Sequence, residues 1–538
     1  MLRPPEQVMR LDRMAAMHAT RLSFLRVLLR RVRRETWRVT RAAWVLDARG
    51  FGHAVYAVRT PSRTYSLVAF SRDLPPEQRT DRVIADAWDT SYVLYDGLPD
   101  AAELARLAAH VPRQEAGRYT ERDLVLSRAN RSVRLFDSVA RTLAAGRQPD
   151  AAAVEDVGYL MRTTAVYGNG KFGIADRDLI GGRAEFAAPF QAEMLTVWLI
   201  RAFTVDFFEH RARALAPATA VRLAPTLRRR FGIGNATGLG MAPFLVKHPL
   251  LLHRWMTARE TALARVRALP ESDAWPAFTR HLDAARAAIA HWRTDDPTQV
   301  RRITALRDDL DRLAAQPRQD WDSLYRWAES SLSLEGQECT VALLLEPHGA
   351  LVDDLAETMS ADEQEAAAID GGMSCDALRD LILREYRWAL ALDFTAPAAT
   401  ARFWYTSAEK LEPRLGQRGT DPGAEREQPL GFGRDIASLF HELPEQGSVA
   451  MFLLECPERR HVVRRVQIAA RYPYAEIRGN LIGAAMRPID LLRCKLAMFG
   501  AARFDPRSDR WLRITLFQGA PFPDELHGAA AEAPDRAA

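Results

Sequence analysis

Lysine is the scarcest charged residue in this chain: Lys171, Lys247, Lys410 and Lys495 are the only four among 74 lysines and arginines. Asparagine is equally sparse, at Asn130, Asn169, Asn235 and Asn480. A GC-rich coding sequence, which favours Arg and Ala codons, accounts for both shortages. Where a solvated cation suffices the chain uses arginine, so a retained lysine marks a place for a compact ammonium or a deprotonatable amine. The flexible lysine stem also suits half-buried packing positions.

Cysteine is nearly missing as well. Cys339, Cys375, Cys456 and Cys494 lie far apart, which argues against a disulfide framework and fits a reducing compartment. No stretch of about 18 uncharged apolar residues occurs, so no transmembrane helix is expected. Arg26, Arg30, Arg31, Arg33 and Arg34 interrupt the apolar residues near the N-terminus, unlike a secretory signal. A soluble, cytoplasmic protein is expected.

The 538 residues, 48% of them hydrophobic, suffice for two or three cores. The net charge of +5 is uneven: residues 1 to 41 carry eleven arginines against three acids, and the remainder is slightly acidic. A uniformly basic surface is thereby excluded. Residues 20–41 read as a basic helix with Leu22, Leu25, Leu29 and Val32 at helical spacing, either an arm for phosphates or membranes or a docked helix with a solvated arginine face.

The spacing of apolar residues and turn formers predicts a mixed α/β protein of the α+β class. A basic helical arm (1–41) precedes a small β-rich region (42–97), with strands at 43–46, 54–58 and 65–70 forming a small antiparallel sheet. A large helical middle (98–335) includes helices over 99–110, 150–161, 190–215 and 254–269. A C-terminal mixed α/β region with a sheet (336–524) has strands at 339–345, 401–406, 449–454, 462–469 and 511–517, a helix at 377–392 and a long loop at 412–433. The tail 525–538 has little to bury.

Two glycine-rich breaks interrupt the helical middle. In Arg162-Thr-Thr-Ala-Val-Tyr-Gly-Asn-Gly-Lys-Phe-Gly173, Gly168 and Gly170 free the backbone around Asn169 and Lys171. Successive N–H groups can then point into one concavity, with the lysine adding a point charge for carboxylate or phosphate. The second break, Phe231-Gly-Ile-Gly-Asn-Ala-Thr-Gly-Leu-Gly240, matches neither a dinucleotide fingerprint nor a P-loop. Its Gly234, Asn235, Thr237 and Gly238, with Lys247 beyond, could still face an anion at a helix start. The structural alternative for both is close packing and helix termination.

His348, after the expected strand 339–345, is the candidate for proton transfer, with Lys171 as the alternative reactive group. The group Tyr472, Tyr474, Glu476, Arg478 reads as one strand face whose charges pair across to neighbours. No metal set emerges, since Cys456 and His461 lack a second close pair, and no motif assigns a cofactor or an oligomeric state. The expectation is an enzyme acting on a small anionic organic substrate bound at 167–173 and 232–240, reaction type unassigned. Its rivals are a nucleic-acid-associated protein using the arm and Ser127–Arg134, and a non-catalytic scaffold.

Overall fold

The computed structural model describes residues 1–10, 13, 21–75, 88–113, 119–163, 180, 182–236, 249–270, 273–290, 292, 297–359, 368–391, 393, 403–407, 410–416, 424–429, 433–477, 496–505 and 513–526. The chain forms two compact units that are interlaced in sequence. A sheet unit comprises Ser23–Thr237, Phe499–Asp505 and Arg513–Ala538, and a helical unit comprises Met1–Leu22, Gly238–Met498 and Pro506–Leu512. Both α and β structure are present throughout, as the α+β class requires.

In the sheet unit, helix α1 (Phe24–Arg34) buries Phe24, Leu25, Val27, Leu28 and Val32, while Arg33 and Arg34 are exposed. It is a docked helix with a solvated arginine edge, and the chain turns into a strand only four residues later. Strands β1 (Arg38–Leu46), β2 (Gly52–Arg59), β3 (Thr64–Ser71), β4 (Thr90–Asp96), β5 (Asp123–Arg131) and β6 (Tyr159–Thr163) form an antiparallel succession. The β1–β2 turn requires Gly52, at φ 135°, because a Cβ there would stand 1.9 Å from the Val45 carbonyl oxygen. Strand β7 (Gly232–Ala236) then joins parallel to β6. The late strands β12 (Arg513–Leu516) and β11 (Arg503–Asp505) complete a nine-stranded sheet beyond it.

Between β4 and β7 lie α2 (Ala101–His110), α3 (Phe136–Ala144), α4 (Ala151–Val157), α5 (Gln191–Leu215) and α6 (Pro225–Arg230). Helix α5 is apolar on almost every side, buried from Gln191 to Val205, as a helix through the middle of a core must be. It packs against β3 to β7 and against α1 and α3. Phe203 meets Tyr92 edge-on at 5.6 Å and stacks on Phe207 at 5.3 Å. On the opposite sheet face α2 contributes Leu104 and Leu107 to a cluster with Val55, Val68, Phe70, Val93 and Tyr95.

The expected helix 150–161 ends at Val157, where Gly158 takes a left-handed cap at φ 73°, and β6 follows at once. The second glycine-rich break is corrected similarly: residues 232–236 are strand, not loop. A Cβ on Gly234 would sit 2.7 Å from the Tyr159 ring, so this glycine serves close packing.

The helical unit contains α7 (Pro249–Arg267), α8 (Trp275–Ala290), α9 (Pro297–Ala314), α10 (Trp321–Ser331), α11 (Leu334–Leu345), α12 (Gly349–Glu357), α13 (Cys375–Glu385), α14 (Gly433–Glu442), α15 (Val449–Glu455) and α16 (Arg460–Arg471). Three expected strands are helices. At 339–345 a short apolar run, buried on all sides, carries no period that separates strand from helix. The deciding signal is Ser333, whose Oγ accepts from Gly336 N at 3.2 Å as an N-cap. Segment 449–454 is α15, capped by Ser448, and 462–469 lies in α16, whose Val462, Val463 and Val466 are buried.

The expected loop 412–433 instead contributes β9 (Lys410–Gly416) and β10 (Ala424–Pro429), which flank β8 (Phe403–Ser407) in a three-stranded sheet. Glu476 is buried after α16, where Arg465 Nε and Nη2 donate at 2.6 and 2.8 Å and the Tyr386 hydroxyl at 2.9 Å. For Tyr472, Tyr474 and Glu476 the pairing therefore sits in a turn rather than on a strand face, and Arg478 lies outside the described residues.

From the N-terminal stretch, Arg3, Val8 and Met9 are buried in this unit. Arg3, 6% exposed, donates from Nε and Nη2 to the two Glu260 oxygens and from Nη1 to Glu338 Oε1, each at 2.8 Å. Arg13 reaches Glu338 at 3.3 Å and Arg259 binds its second oxygen. Its carbonyl accepts the Tyr474 hydroxyl at 2.7 Å, so Arg3 is held at both ends. Among the described residues no helix is long and apolar enough to cross a membrane.

Candidate functional site

Strands β6 and β7 are the only parallel neighbours in the described part of the large sheet. Their carboxyl ends therefore lie side by side, with Arg162 in register with Gly234. Asn235 Nδ2 donates to the Thr163 carbonyl at 3.0 Å, tying the two ends together. From these ends the chain departs into 164–179 and 237–248, the segments that hold both glycine-rich motifs. The end of a parallel strand pair is where open sheets characteristically receive ligands, because the chains leaving it diverge and expose backbone N–H groups.

Strand alternation places a row of polar side chains near this end, on the α2 face of the sheet. Ser91 pairs with Arg128 across β4 and β5, and Asn130 pairs with Arg162 across β5 and β6. Tyr92, one residue on, faces α5. The row is buried, with Ser91 and Asn130 each 1% exposed and Arg162 2%. Arg128 stacks on Trp88 at 4.2 Å.

Ser91, Arg128, Asn130 and Arg162 bring hydrogen-bond donors to the row. Asn130 Oδ1 is occupied by Asp89 N at 2.9 Å, which leaves its amide as a donor. Asn130 Nδ2 and Ser91 Oγ have no hydrogen-bond partner among the described residues. Asp89 is the buried carboxylate beside them, and Arg131 neutralises it through Nε and Nη2 at 3.1 and 2.9 Å. Arg72, which follows β3 and lies beside Asp89, donates to the Trp88 carbonyl at 3.3 Å, and burial draws its pKa down. Guanidinium, amide N–H and hydroxyl are all donors, the complement of a carboxylate or phosphate.

Of the sequence-derived candidates, Gly234 and Asn235 lie in β7 beside this row, both committed to packing or to the neighbouring strand end. Gly168, Asn169, Gly170, Lys171, Thr237, Gly238 and Lys247 lie outside the described residues, as do Cys494 and Lys495. Lys410 opens strand β9. Within Ser127–Arg134, Ser127 bonds Thr163 at 2.7 Å and Arg131 binds Asp89, both buried, whereas Val133 and Arg134 are exposed.

His348 belongs to the helical unit and follows helix α11 rather than a strand. Its ring meets Trp321 edge-on at 5.8 Å, its Nε2 is buried with no hydrogen-bond partner among the described residues, and burial lowers its pKa. Cys339 is buried and its thiol is pushed up to about 12 by that burial, with Glu335 and Asp309 adding to the effect, so it is inert. Among the described residues no three histidine, cysteine or acidic groups converge as metal ligands.

Arg162 and Asn130 were the residues least visible to sequence reasoning as site members. No local pattern marks them; the pairing of Asn130 with Arg162 across β5 and β6 brings them together. No protein-family model, curated protein or solved structure matches the chain.

Proposed function

We propose that the protein is an enzyme acting on a small organic anion bound at the shared end of β6 and β7. The observation that carries this reading is the in-register departure of both glycine-rich segments from adjacent parallel strand ends, next to a buried row of donors. Arg162 and Asn130 would hold the carboxylate or phosphate from the sheet side. Lys171, two residues from Asn169, would supply a further point charge or a reactive amine. The reaction class follows from whichever anion binds.

Thermal melting across carboxylate and phosphate metabolites tests the proposal, since a ligand present at 100 times its Kd stabilises by about 2.7 kcal/mol. Asn130→Ala and Lys171→Ala should each reduce the shift given by the best anion, and Lys171→Arg should restore it in part if charge alone matters. Retention of the full shift in both alanine variants would sink the proposal.

A further inference from the structure

A cavity in the sheet unit lies on the other face, along α5. Its volume is about 670 Å³, and it is bounded by β1, β2, α5, the start of α6 and the turn Pro523–Glu525. That volume falls within the range of sites for metabolite-sized ligands.

Charged side chains dominate its polar lining, and most neutralise one another. Asp206 Oδ2 accepts the Tyr56 hydroxyl at 2.6 Å and Arg41 Nη1 at 3.3 Å. Arg228 grips Asp524 with two bonds, at 2.6 and 3.0 Å, and lies over the Phe522 ring at 4.1 Å. Three charged groups are left over. Arg222 has no side-chain bond among the described residues, and Arg213 has only a 3.4 Å contact to the carbonyl of Glu209 in its own helix.

Glu209 is the third. It has no cation within ion-pair distance among the described residues and receives one backbone N–H, from Leu223 at 3.1 Å. Burial raises its carboxyl pKa. Val39, Val205, Leu223 and Pro523 supply an apolar wall to the same cavity.

We propose that this cavity binds a small amphiphilic organic acid, its carboxylate or phosphate held by Arg213 and Arg222 and its apolar portion against Val39, Val205 and Leu223. Two guanidiniums with no carboxylate within ion-pair distance among the described residues recognise the anion, although the Arg222 charge also acts on Glu209, and the apolar wall excludes bare inorganic ions as the preferred occupant. None of these residues belongs to the donor row on the α2 face, so this site stands or falls independently of the proposed substrate site.

The test is calorimetric titration of the full chain with hexanoate, hexyl phosphate and inorganic phosphate. At least one amphiphile should bind ten or more times more tightly than inorganic phosphate, and the comparison of the two amphiphiles identifies the preferred headgroup. Arg213→Gln with Arg222→Gln should weaken that binding at least tenfold without shifting the melting temperature, because both side chains are exposed. Arg33→Gln, at an exposed arginine outside the cavity lining, should leave it unchanged. Undiminished binding in the double variant, equal affinity for inorganic phosphate, or binding of neither amphiphile would overturn the proposal.

Discussion

Replacing Glu338 with glutamine should destabilise the helical unit by about 3–5 kcal/mol, the usual cost of breaking a buried ion pair from one side. Glu338 is fully buried and faces Arg3 at 2.8 Å, Arg13 at 3.3 Å and Arg259. Burial alone would raise its carboxyl, but the opposing charges of Arg3 and Arg259 hold it down at about 2. Against an ordinary glutamate near 4.3, a depression of this size corresponds to about 3 kcal/mol of stability. The contribution is full above the unfolded-state pKa and is lost as pH falls through about 2.

Glutamine keeps the shape of Glu338 but removes the charge, leaving Arg3, Arg13 and Arg259 with Glu260 alone. With a urea slope of about 3 kcal/mol per molar, the midpoint should fall by about 1–2 M, read by fluorescence of Trp255 and Trp321, both buried in this unit. A variant lacking residues 1–9 should lose a similar amount, because it removes Arg3 from both glutamates. A Glu338→Gln midpoint within 0.3 M of wild type, about 1 kcal/mol at that slope, would refute the reasoning.

Three further outcomes are expected. His253, stacked on Tyr474 at 5.9 Å, accepts from Tyr474 N, and burial, with a smaller effect of the Arg254 charge, lowers it to about 4. Stability should therefore be full above pH 6.5 and decline by about 2 kcal/mol as pH falls through about 4, after allowance for partial exposure. His253→Gln should flatten that slope in urea melts run from pH 7 to 4, and an unchanged slope would contradict the assignment. Gly234→Ala should cost about 1–3 kcal/mol by driving a methyl into the Tyr159 ring; a neutral result would show that the strands yield there. Leu28→Ala should cost about 2–5 kcal/mol, whereas Arg33→Glu with Arg34→Glu should stay within about 0.5 kcal/mol. The reverse ranking in thermal melts would mean that α1 is not docked.

Strands 43–46, 54–58 and 65–70 were legible because alternation and bounding glycines operate over a few residues, and helix 190–215 was legible because its apolar content is continuous. The segments 339–345, 449–454 and 462–469 were not, since short runs of Val and Leu suit a buried helix as well as a strand, and the caps Ser333 and Ser448 carried the missing information. Strand β7 was hidden by its glycines, which sequence reasoning assigns to loops but which here admit the Tyr159 ring. The glycine-rich motifs drew attention to one end of the sheet. Arg162 and Asn130 acquire meaning only through cross-strand register, which no local pattern encodes.

The interlacing of the two units has a consequence for synthesis. Strand β7 ends at Ala236, and its outer neighbour β12 begins at Arg513. At about 5–20 residues per second, roughly 15–60 s separate the emergence of one from that of the other. Throughout that interval the nascent sheet presents β7 as an open edge, able to pair with any extended segment that reaches it. Chains arrested between these points would be released with that edge uncovered, which makes late truncation a more direct route to aggregation than loss of the same number of residues from a surface loop.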